Sequence, residues 1–93
     1  MKNLRSLIEH FSCECLQGSL DTEVRSVVYD SRKVEKGSLF VCIRGAVVDG
    51  HMFVNEVVEK GARVLVVEEP VNVPKEVTVL QVSDTRYALA LIS

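Results

Sequence analysis

Two short runs made almost wholly of apolar residues, Leu39–Ile43 and Val64–Val67, flank a stretch with helical spacing, and this arrangement leaves the chain few folds. A strand that is apolar at nearly every position must be covered on both faces, the condition of a strand inside a parallel sheet. Between the runs, Phe53, Val54, Val57 and Val58 recur at i, i+1, i+4 and i+5, opposite Glu56, Glu59 and Lys60, and Gly61 supplies a C-terminal stop. The pattern predicts a strand, helix, strand unit with a right-handed crossover and a parallel pair. Leu39–Ile43 is expected to be central in the sheet.

The flanking segments add smaller elements. Leu4, Leu7, Ile8 and Phe11 predict a short amphipathic helix within Met1 to Phe11, with Lys2, Asn3 and Glu9 on its wet face and His10 a surface residue at its edge. Glu14 to Gln17, the turn-like Gly18 to Asp21, and Glu23 to Tyr29 read as a hairpin. Pro70 and Pro74 bracket a loop, and Val77 to Val82 reads as a strand. Ser83 or Asp84 can cap a helix beginning at Thr85, with Tyr87, Ala88, Leu91 and Ile92 on one stripe. That helix reaches Ser93 without glycine, proline or a basic last turn, so the chain is expected to be a piece of something longer. The expected class is α/β, a small mixed, mostly parallel sheet flanked by helices, with residues 1–93 forming a single domain.

Ninety-three residues is near the lower end of what folds alone and buries roughly 60 to 65% of the unfolded surface. A net charge of -2 with both signs interspersed gives no extended positive field, so nucleic acid is excluded as the main partner. No segment approaches the roughly 20 apolar residues of a membrane span, and no signal-length apolar run opens the chain, so a cytoplasmic location is expected. Cys13, Cys15 and Cys42 are odd in number, which argues against a secreted disulfide framework. A zinc site from these thiols with His10 or His51 lacks any familiar two-residue cysteine spacing, so no metal is expected and the cysteines read as small apolar residues.

Candidate chemistry concentrates between Asp30 and His51. Asp30, Ser31 and Arg32 follow the strand ending near Tyr29, where side chains can face a crevice; a hydroxyl and a guanidinium both bind phosphate oxygens. The competing structural reading is that Asp30 caps a turn and Arg32 pairs with a surface acid. Gly45 and Gly50 enclose Ala46, Val47, Val48 and Asp49 with the spacing of a phosphate loop. The next residues are wrong for one: His51 and Met52 stand where a P-loop has lysine and serine or threonine. ATP is therefore not expected here, although a loop approaching a ligand through its backbone is. His51, at a helix start, can cap, pack or touch a ligand.

The order Tyr29, Asp30, Ser31, Arg32, Val34, Gly37, then Leu39, Phe40, Val41, Gly45, then Asp49, Gly50, His51, Phe53, then Gly61, Ala62, and finally Asp84, Thr85, Arg86, Ala88 and Leu89 resembles the N-terminal domain of the Mur ligases. These are ATP-dependent amino-acid ligases of peptidoglycan assembly. The resemblance covers nearly the whole chain. Tyr29 to Arg32 and Ile43 to Gly45 look most like the MurE type, which adds the third residue of the stem peptide; the MurF type, which adds the terminal dipeptide, is the close rival.

The resemblance implies a domain that binds the UDP end of UDP-N-acetylmuramoyl-L-Ala-D-Glu. By family analogy Ser31 contacts the diphosphate, with Tyr29 beside it and Arg32 next in the motif, while Ala46, Val47 and Val48 line the uridine pocket through backbone groups. Gly45, Asp49, Gly50 and His51 match the motif as well. ATP and Mg2+ are implied for the longer parent's other domains, which would be this domain's partners in a monomer. No catalytic residue is expected in this chain, and it should bind without catalysing. A stand-alone nucleotide-binding regulatory module and a thiol-based metal or redox protein are the alternatives.

Overall fold

A computed structural model describes residues 2–92. In chain order the elements are β1 (Lys2–Asn3), α1 (Leu4–Ile8), β2 (Glu14–Gln17), β3 (Glu23–Val24), β4 (Ser26–Val28), β5 (Ser38–Val41), α2 (Val54–Glu59), β6 (Val64–Val67), β7 (Thr78–Gln81) and α3 (Thr85–Ile92). Short 3₁₀ turns stand at Ser31–Lys33 and Gly50–Phe53.

The two apolar runs form adjacent parallel strands, with Leu39 opposite Val64, Phe40 opposite Leu65 and Val41 opposite Val66. Every residue of β5 and β6 is buried, because alternate side chains enter two cores on opposite faces of the sheet. Leu39, Val41, Val64, Val66 and Leu80 meet Leu4 and Leu7 of α1 and Ala88 and Ile92 of α3. Phe40, Leu65, Val67 and Val79 meet Val54 and Val57 of α2. Sheet order is β2-β7-β6-β5-β4, so β5 is interior, as expected, and β6 is the middle strand. Strands β4 to β7 run parallel and β2 runs antiparallel, which makes the sheet mixed and mostly parallel.

The expected hairpin from Glu14 to Tyr29 does not form. Strand β2 pairs with β7, Cys15 opposite Leu80, while β4 pairs with β5 at the far edge and β3 pairs with β1 in a separate two-stranded ribbon. Long-range bonds override the turn signal: Gln17 donates from Nε2 to the carbonyls of Pro74 (2.7 Å) and Val77 (2.9 Å), and the Thr78 hydroxyl exchanges hydrogen bonds with Ser19. At the other edge, the Ser26 and Ser38 hydroxyls lie 2.8 Å apart across β4 and β5.

Helix α1 is shorter than its sequence pattern, ending at Ile8, and Asn3 caps it by accepting from the Arg5 amide. Its expected first residue, Met1, lies outside the described residues, as does Ser93. Gly61 ends α2 with φ +110°, and a Cβ there would lie 2.6 Å from the Lys36 Cα, so position 61 demands glycine twice over. In α3 the buried stripe is Thr85, Ala88 and Ile92, spaced three and four apart; Tyr87, expected on that stripe, is 62% exposed because it sits about 100° around the helix from Ala88. Asp84 caps this helix, its Oδ1 accepting from the Tyr87 amide at 3.1 Å. Among the described residues no helix is long and apolar enough to cross a membrane.

Candidate ligand site

Ligands of open parallel sheets bind beyond the carboxyl ends of the strands, and here that edge carries both candidate segments. Where β4 runs out, Tyr29 is 63% exposed and Asp30 turns the chain, its Oδ1 accepting from the Arg32 amide at 2.9 Å. Arg32 also clasps the same carboxylate with its side chain, Nε to Oδ1 at 3.0 Å and Nη2 to Oδ2 at 2.8 Å. That side-chain contact and then the amide hold the Asp30 carboxyl down at about 2. The turn-and-ion-pair geometry anticipated as the structural alternative is therefore present. It leaves three of the five guanidinium N–H donors of Arg32 unused in that pair. The half-buried Ser31 hydroxyl has no protein partner among the described residues, while the Ser31 carbonyl accepts from Lys60 Nζ at 3.0 Å.

Beyond β5 the chain forms a miniature hairpin. The Gly50 amide donates to the Ile43 carbonyl (2.8 Å), Arg44 bridges Asp49, and the Gly45 amide donates to the Val48 carbonyl (2.8 Å), leaving Ala46 and Val47 at the tip. Val47 is 95% exposed. Gly50 lies so close to β5 that a Cβ would stand 2.8 Å from the Ile43 nitrogen. The hairpin leads directly into the 3₁₀ turn Gly50–Phe53. Val48 and Phe53 from this side, with Tyr29, Asp30, Ser31 and Arg32 from the other, line a groove of about 480 Å³. The structure thus brings Tyr29, Ser31, Arg32 and Val48 to one groove, while Gly45, Ala46 and Val47, in the same hairpin as Val48, do not line it.

Asp49, Gly50 and His51 do not line the groove. Asp49 Oδ1 accepts from the His51 amide (2.9 Å) and faces His51 Nδ1 (2.7 Å), while His51 Nε2 accepts from the Glu68 amide (2.9 Å). The Asp49 carboxyl is held below its ordinary value, chiefly by that His51 amide. Both ring nitrogens of His51 are therefore engaged by protein groups.

Three residues that sequence reasoning missed, Arg44, Glu68 and Glu69, complete the network. Arg44 reaches Asp49 (3.4 Å), Glu69 (3.1 Å) and, more distantly, Glu68 (3.8 Å). Glu68 Oε2 accepts from the Thr85 amide (2.8 Å) and hydroxyl (3.1 Å). For the two glutamates the signal was position: Glu68 and Glu69 directly follow an apolar strand, as Asp30 follows β4. Asp49, His51 and Glu69 have ligand atoms within 4.8 Å of one another, but a guanidinium already sits against both carboxylates. The cysteines are scattered, Cys42 buried, Cys13 half-buried and Cys15 exposed, and none joins that cluster. Burial, with Asp49 nearby, pushes the Cys42 thiol up to about 12, so it is protonated and unreactive at neutral pH.

Residues 23–92 match the family model described as Mur ligase family, catalytic domain. Two UDP-N-acetylmuramoyl-L-alanyl-D-glutamate–2,6-diaminopimelate ligases are similar: that of Clostridium perfringens is 42% identical over 97% of this chain and 19% of its own length, and that of Clostridioides difficile 41% identical over 97% and 18%. Among solved structures, MurF from Acinetobacter baumannii superposes with a TM-score of 0.67 at 38% identity, covering 73% of this chain and 15% of that one. The chain belongs to the Mur ligase family and has the fold of its N-terminal domain. It spans about a fifth of the length of the curated relatives it matches.

Proposed function

We propose that this chain binds the UDP end of a UDP-N-acetylmuramoyl peptide, as the substrate-anchoring part of an ATP-dependent, cytoplasmic amino-acid ligase of peptidoglycan synthesis. The observation that carries the reading is the groove itself, where the Tyr29–Arg32 turn and the 43–50 hairpin face each other beyond the strand ends. The unpartnered Ser31 hydroxyl and the spare N–H groups of Arg32 supply donors for a diphosphate, and the exposed Tyr29 ring supplies a wall. Ala46, Val47 and Val48 have only apolar side chains, so the uracil is read by the main chain, as at Ala46 and Val47, whose backbone groups make no bond among the described residues. Relatives named as diaminopimelate ligases support the MurE type and the dipeptide substrate UDP-N-acetylmuramoyl-L-Ala-D-Glu. The likeness to MurF structures supports the dipeptide-adding type as the second reading.

In this reading ATP and Mg2+ act in the rest of the longer protein, which holds this domain as a partner, and the 93-residue chain alone forms no bond. The test is an amide NMR titration with UDP and with UDP-N-acetylmuramoyl dipeptide. Saturable shifts at Ser31 and Gly45 are expected, and their absence at millimolar ligand defeats the assignment. Replacing Ser31 with alanine should weaken binding by about 1 to 2 kcal/mol, the scale of a hydrogen bond to a charged group. Unchanged affinity would remove Ser31 from the site.

A further inference from the structure

His51 stands in the midst of the candidate segment, yet its imidazole has nothing left to offer a ligand. Its side chain is 5% exposed, Nδ1 lies 2.7 Å from Asp49 Oδ1, and Nε2 accepts from the Glu68 amide. An accepting Nε2 carries no proton, so the proton sits on Nδ1 and points at Asp49. The ring is a rigid strut between the last pair of the hairpin and the first residue after β6, 17 positions on in sequence.

The far end of the strut is itself anchored. The Glu68 carboxylate accepts from the amide and hydroxyl of Thr85 at the start of α3, and the Glu68 carbonyl accepts from Gln81 Nε2 at 3.1 Å. A second tie runs outside: Arg86 Nη2 donates to the Arg44 carbonyl at 3.2 Å, and Arg44 bridges Asp49 and Glu69. Thr85 and Arg86 therefore hold the hairpin from α3, through contacts that touch no groove residue. The hairpin needs such support, since a ladder this short does not stand alone in water.

We infer that His51 is a positioning residue for ligand binding: it sets the hairpin against the end of β6 so that Val48 and the main chain of the tip face Ser31 across the groove. The inference rests on the UDP-binding reading above. Two near-isosteres divide the strut. In His51→Asn the amide nitrogen stands near Nδ1 and keeps Asp49 but loses Glu68; in His51→Gln the amide oxygen stands near Nε2 and keeps Glu68 but loses Asp49. Met52→Ala, at an exposed neighbour, is the control.

The experiment is an amide NMR titration of the 93-residue chain and these variants with UDP, joined to hydrogen exchange and a ring-nitrogen spectrum of His51. Wild type should show the Nδ1-protonated tautomer. Both strut variants should bind UDP about tenfold more weakly, the factor for one hydrogen bond. Exchange at Gly45 and Gly50 should quicken, and UDP-induced shifts should shrink at Ala46 to Val48 while persisting at Ser31. Wild-type affinity in both variants, or an equal loss at the tip and at Ser31, overturns the positioning role alone. A wild-type chain blind to UDP overturns the ligand reading as well. Should both variants unfold, Asp49→Asn, which keeps an oxygen for the His51 amide, takes their place: weaker binding with shifts lost at the tip supports the role, and wild-type affinity overturns it.

Discussion

Among the described residues, Asp30 has the carboxyl group drawn furthest below its ordinary value. Its carboxyl sits at about 2, against an ordinary 3.8, because the Arg32 side chain and amide favour the charged form. A folded value below the unfolded one contributes stability above the unfolded value and loses it as pH falls through the folded one. Asp21, held down by Arg5, and Asp49, held down by the His51 amide, shift in the same direction. Stability should therefore decline between about pH 4 and pH 2, and the Asp30 carboxyl carbon should titrate by NMR with its midpoint near 2. A midpoint near 3.8 would mean that the clasp does not persist in solution. Arg32→Ala should raise the midpoint without restoring 3.8 fully, since the backbone donor remains.

The elements separate into those whose partners are local and those whose partners are not. Val64 to Val67 was legible residue for residue, because a strand covered on both faces can hold only apolar side chains. The Glu14–Tyr29 hairpin misled because a turn signal at Gly18 says where the chain bends and nothing about which strand lies alongside; that depended on Gln17 and Thr78, 61 positions apart in the chain. The candidate site divides likewise. The Tyr29–Arg32 and Gly45–His51 segments were visible, whereas Glu68, Arg44 and the strut through His51 become visible only when β6 lies beside β5. At Gly61 the two scales agree, and alanine there should cost about 1 to 2 kcal/mol from the left-handed backbone, with the clash against Lys36 added to it. A fall in Tm on the order of 10 °C by circular dichroism is expected for a domain this small.

Across the whole molecule, two thin cores share one sheet, so each buried side chain of β6 supports only one of them. Leu65 is fully buried in the α2-side core, and Leu65→Ala should destabilise by about 2 to 5 kcal/mol, a large share of a total of about 5 to 15. Urea unfolding checks this: the midpoint should drop while the slope stays constant, and a midpoint moved by less than the equivalent of about 1 kcal/mol would show that the site collapses freely. The pairing of β2 with β7 has a consequence for how such a chain comes into being. Synthesised from the N-terminus, residues 14–17 leave the ribosome long before residues 78–81 exist to receive them, and β4 likewise waits for β5. The nascent chain thus carries β2 as an unsatisfied strand until residues 78–81 follow, and that edge of the sheet closes only when β7 arrives.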